Sequence, residues 1–221
     1  MTSSNLLTPD IEFEPSHALQ QAAAFGSFAL LPTNTQQVLM SLRRVFIHRT
    51  SDFLSKAEVQ VLTVVSDGVS AEPIQLSSEV YEGIGRNTEL PLGPGGIALY
   101  RTSDGKIPAF LDYRILVMEL DEDVRKAGEL LDAVRQDEQF KQFRTSLLAA
   151  AAVAAPPAAL ITAATDFTLN LLARLLKANR DDQLLLVSGS FSNTFDDLGT
   201  KYGPITQNNR KAEITYDVQA A

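Results

Sequence analysis

The chain has 221 residues, 45% of them hydrophobic and 21% charged, with no cysteine and a formal net charge of −8. That length and balance fit one large or two small globular units and exclude a disulfide framework, a thiolate metal site and wholesale disorder. The acidic balance, with basic residues scattered as short pairs such as Arg43-Arg44 and Arg210-Lys211, also argues against a nucleic-acid partner, which needs a concentrated basic surface.

Residues 1–40 read as an N-terminal arm. Pro9, Pro15 and Pro32 surround one short helical stretch, 17–25, which ends at Gly26 as helices often do. An arm of this kind packs along its own domain or reaches a neighbouring subunit. Asp10, Glu12 and Glu14 stand where an export signal needs an apolar run, so the expected location is cytoplasmic, either free or peripheral on a membrane.

Residues 41–221 read as one domain. Short strands are expected at 42–48 and at 57–65, where Ala57, Val59 and Val61 alternate with polar residues before Asp67-Gly68 signals a turn. A weaker strand at 74–81 precedes the interruption of Pro91 and Gly93-Pro94-Gly95-Gly96. Strand 97–101 follows, then the turn dipeptide Asp104-Gly105 and a strongly apolar strand, 110–120. No helix long enough to serve as a crossover is read between residues 42 and 120, so the strands should be antiparallel.

A helical block of about 122–179 comes next. Asp121, Glu122 and Asp123 lead into Val124, Ala127, Leu131 and Val134 at helical spacing. Pro156-Pro157 then separates two further segments, 138–155 and 157–178. In the last of these Leu160, Ile161, Ala164, Phe167, Thr168, Leu171, Leu172, Leu175 and Leu176 form one apolar stripe. Strand character returns at 183–187 and at 211–218, where Ala212, Ile214, Tyr216 and Val218 share a face. The helices are thus inserted between strands.

Chemistry-bearing candidates are few. The two histidines, His17 and His48, belong to no zinc or nucleophile pattern, and Gly83-Ile84-Gly85 and the 92–96 glycines lack the residues that complete a phosphate loop and read as turns. No enzyme is expected. The most distinctive cluster is Glu119, Asp121, Glu122 and Asp123 at the end of an apolar strand, because carboxylates spaced two apart on an extended segment can converge on a hard cation. The same acids also suit a helix start, with Asp121 as cap and Glu122 and Asp123 complementing the dipole.

At this point the sequence resembles the C2 domains, in which an apolar strand runs into an Asp-x-Asp element of the third calcium loop and a first loop between two early strands adds another aspartate. Asp121-Glu122-Asp123 stands in the third-loop position, and Asp52 in Thr50-Ser51-Asp52-Phe53-Leu54 in the first. The resemblance covers about 42–128 plus the closing strands. It implies a β-rich α+β fold, an antiparallel C2-like β-sandwich, here with an inserted alanine-rich helical hairpin. It further implies calcium as cofactor, held by Asp52, Asp121, Asp123 and Glu119, and calcium-dependent attachment to a phospholipid surface or a protein partner.

The expected function is therefore a non-catalytic binding or interaction module. Two alternatives stay open. The stretch between Arg144 and Asp166 carries no charge, so the 145–176 hairpin could serve a membrane-perturbing, pore-forming or toxin-like protein, although Pro156-Pro157 divides it into halves too short to span a bilayer. The arm could instead join the chain into an oligomer as a structural subunit of a larger assembly.

Overall fold

The computed structural model describes residues 37–50, 56–67, 74–102, 107–120, 134–152, 157–179, 182–193, 195, 196, 198 and 201–220. The expected arm lies outside the described residues except for its last few, which belong to a strand. In chain order the elements are β1 (Val38–Ile47), β2 (Ala57–Asp67), β3 (Ile74–Ile84), β4 (Thr88–Glu89), β5 (Ile97–Arg101), β6 (Phe110–Leu120), α1 (Glu138–Ala152), α2 (Pro157–Asn179), β7 (Asp182–Ser192), β8 (Tyr202–Asn208) and β9 (Ala212–Ala220).

The strands form two sheets. One has the order β4-β1-β9-β8, with β5 also on β1, and the other has the order β3-β2-β6-β7. Every pairing is antiparallel. The molecule is thus β-rich, with two antiparallel sheets packed together and helices inserted between β6 and β7, in line with the sandwich expected from the sequence.

Strand alternation explains the layering, because successive side chains point to opposite faces. Leu111, Tyr113, Ile115 and Val117 of β6 enter the core between the sheets, where they meet Val59, Val61 and Val65 of β2 and Ala212, Ile214, Tyr216 and Val218 of β9. The intervening β6 residues Phe110, Leu116 and Met118 face the other way, into a second core with Leu62 and Val64. That second core is roofed by the helices through Phe140, Leu147, Leu160, Ala164, Leu171 and Leu172. Leu160, Ala164, Leu171 and Leu172 of the apolar stripe read from the sequence of α2 are buried in this core, and each fully buried leucine contributes about 1.5–3 kcal/mol.

Because both faces of β6 are covered, its sequence is apolar on both faces apart from Asp112, Arg114 and Glu119, rather than alternating. Asp137 accepts the amides of Gln139 at 2.8 Å and Phe140 at 3.1 Å and so caps α1. Among the described residues, no helix is long and apolar enough to cross a membrane. α1 and α2 are stacked through Phe143 and Phe167, whose rings lie 4.1 Å apart at 10°.

Two buried polar groups tie the layers together. The hydroxyls of Tyr113 and Tyr216 share a 2.8 Å hydrogen bond across the inter-sheet core. Burial pushes the Tyr216 phenol up to about 12 and Tyr113 well above its ordinary value, so both hydroxyls stay protonated. Gly189 lies under the Tyr113 ring, and a Cβ there would overlap the phenol.

On the helix side Arg114 donates to Asp112 at 3.2 Å and to Thr165 of α2 at 2.8 Å. The Thr165 hydroxyl in turn reaches Asp112 at 3.2 Å. This cluster fastens the helical layer to the centre of the sheet.

Candidate functional site

One end of the sandwich gathers β1's last residue, the starts of β2 and β9 and the ends of β3 and β6. Ala57 pairs with Ile84, Glu58 with Leu120, and Ile47 with both Thr88 and Ala212. A depression of about 560 Å³ opens here, lined by His48, Arg49, Arg86, Asn87, Asn209 and Arg210. These residues come from three chain segments: the exit of β1, the β3–β4 turn and the β8–β9 turn.

Two of the three segments are joined to one another by hydrogen bonds. The amides of His48 and Arg49 both donate to the Lys211 carbonyl, at 2.8 and 3.0 Å, which locks the β1 exit to the β8–β9 turn. In that turn the Asn209 carboxamide oxygen accepts the amides of Lys211 and Ala212 at 2.7 and 2.9 Å. Its Nδ2 donates to the Leu184 carbonyl at 2.8 Å, and Lys211 Nζ reaches the Gln183 carbonyl at 2.9 Å.

The β8–β9 turn is thereby bolted to the other sheet. The β3–β4 turn carries the chain between the sheets through Asn87, whose φ of 52° lies in the left-handed region that asparagine tolerates.

The lining of the depression holds three arginines and no acid. Arg49 and Arg210 form no ion pair with any described residue, and both are exposed. Two acids on the adjacent strands are engaged elsewhere. Glu89 accepts from Arg44 at 2.8 Å, and Glu213 is bonded to the same guanidinium. Arg44 also lies 5.0 Å over the Phe46 ring, and Phe46 lies 5.0 Å from the His48 ring, so His48 is the outer member of a packed row.

Of the four residues expected to hold calcium, Asp52, Asp121 and Asp123 lie outside the described residues. Glu119 is placed on β6, opposite Val59 and Asp182, and is only 3% exposed. The ends of β1 and β6, from which the chain proceeds toward Asp52 and Asp121, share the end of the sandwich that carries the depression. Among the described residues, no three His, Asp or Glu side chains are placed to hold a metal ion.

The sequence places His48 in no zinc or nucleophile pattern and does not single out Arg49 or Arg86. A signal existed in part: Arg49, Arg86 and Arg210 all follow apolar strand residues by a few positions, at chain reversals. Only the strand register shows that these reversals meet.

The buried cluster is chemically distinct. Asp112 and Arg114 are 1% and 4% exposed. Burial raises the Asp112 carboxyl from 3.8 to about 6, against the opposing pull of Arg114 and the Thr165 hydroxyl. It lies under α2, where its groups hold one another. No protein-family model matches this chain, and no curated protein matches it either.

Proposed function

We propose that the chain is a non-catalytic binding module whose contact site is the cationic depression and whose partner presents anionic groups. The supporting observation is the convergence of Arg49, Arg86 and Arg210 from three chain segments, two of which are joined by hydrogen bonds. Guanidinium groups stay charged at any physiological pH.

The described polar clusters away from this end serve the fold. Tyr113 with Tyr216 spans the sheets, and Asp112, Arg114 and Thr165 fasten the helices.

The test is a titration of the full chain with three compact anions: citrate, hexaglutamate and inorganic pyrophosphate. At least one should bind in a salt-sensitive manner, and Arg49→Glu with Arg210→Glu should abolish that binding while leaving the far-UV circular dichroism unchanged. Binding that survives the double charge reversal would overturn the assignment.

A further inference from the structure

Resting on that reading, we infer that the group taken by the depression is a phosphate carried by a compact ligand. Donor count separates phosphate from carboxylate. The site presents the exposed guanidiniums of Arg49 and Arg210, lined further by Arg86 and His48. A guanidinium alone offers about five N–H donors in a planar fork, and a carboxylate, with two oxygens, meets one such fork and leaves the other cations unmatched. A terminal phosphate offers about three strong acceptor oxygens and up to two negative charges, which suits several forks arriving from different directions.

The surroundings separate a compact ligand from an extended polyanion. The depression measures about 560 Å³, within the roughly 300–1,000 Å³ typical of small-ligand sites. It belongs to a chain of net charge −8. A nucleic-acid backbone or an anionic membrane sheet would bring its further charges against that overall excess of acid, whereas a single phosphate group would not.

Among the described residues of this end, no large hydrophobic side chain is exposed. Among the described residues, the exposed large hydrophobic side chains are Leu148 on α1 and Phe195 just after β7. Phe195 follows the far end of β7, opposite the end pinned by Asn209.

Calorimetric titration of the full chain with inorganic pyrophosphate tests the inference, with citrate and hexaglutamate in parallel. Pyrophosphate should saturate a single site and bind at least about tenfold more tightly than citrate. Arg49→Gln and Arg210→Gln should each weaken it roughly tenfold, the loss of one charge-assisted contact. Both side chains are exposed, so the variants should melt like the parent, and Lys141→Gln on α1 should bind like the parent.

Equal, arginine-dependent binding of all three anions would overturn the phosphate assignment and leave the binding reading standing. No binding of any of them would overturn both. Binding to vesicles containing a phosphatidylinositol phosphate, with none to pyrophosphate, would overturn the compact ligand.

Discussion

Arg114→Met takes the cation away from Asp112, a carboxylate 1% exposed at the centre of a sheet covered on both faces. Breaking a buried pair by removing one member costs about 3–5 kcal/mol, because the remaining charge is left without compensation. That cost requires the carboxylate to be ionised, so it should depend on pH.

In the parent protein the folded-state value of Asp112 is about 6, raised from 3.8 by burial. Between those values the unfolded chain has released a proton that the folded chain retains. The group's stabilising contribution is therefore complete below about pH 4, is lost as pH rises through about 6, and is constant above; it amounts to about 3 kcal/mol.

Without Arg114 the folded-state value rises further. The variant should then lose about 3–5 kcal/mol at pH 7.5 and distinctly less at pH 4.5, where Asp112 is neutral. Urea unfolding of both proteins at the two pH values measures this. Asp112→Leu combined with Arg114→Met should recover most of the loss, since an apolar pair of similar volume is often as stable as the ion pair. Equal losses at both pH values, or a loss at pH 7.5 below about 1 kcal/mol, would refute the reasoning.

Gly189→Ala should destabilise by about 1–3 kcal/mol through overpacking, since the added methyl meets a Tyr113 ring held against Phe191 and Tyr216. Chemical denaturation measures it, and a change within about 0.5 kcal/mol would show that the ring moves aside. Asp137→Ala should cost about 0.5–2 kcal/mol by uncapping α1, with the loss reported as lower helical circular dichroism and a lower urea midpoint.

Calcium tests the C2 resemblance. A cation at about one hundred times its Kd stabilises the folded state by about 2.7 kcal/mol, a rise of roughly 5–10 °C for a chain of this size. The resemblance implies that rise in calcium over chelator, with Asp121→Ala and Asp123→Ala removing it. Identical melts in both buffers would take calcium out of the account.

The sandwich was legible wherever period-2 alternation or a continuous apolar run met a turn signal. β5 and β6 are found where the sequence places them, and Ala212, Ile214, Tyr216 and Val218 all face the inter-sheet core. β8 was not, because Tyr202–Asn208 holds Gly203 and Pro204 and alternates weakly. Its position at the sheet edge is where a proline can be tolerated without losing a ladder bond.

β1 begins at Val38, inside the stretch read as arm, because its first residues pair with both β5 and β9, a tertiary cause that the local sequence does not display. The charged pair in β6 passed unnoticed inside an apolar run, although Asp112 and Arg114 at spacing two must share a face. The cationic depression was the least legible feature. Arg49, Arg86 and Arg210 are far apart in the chain, and only the pairing of Ile47 with Thr88 and with Ala212 brings their turns together.

Amide chemical-shift mapping of the isotope-labelled full chain, titrated in turn with pyrophosphate, citrate and hexaglutamate, tests the central claim most directly. The account predicts that at least one anion shifts the amides of 47–50, 85–88 and 209–211 together, with a common saturation curve, while those of α1 and α2 stay still. Shifts confined to the helical layer, or none with any of the three anions, would contradict it.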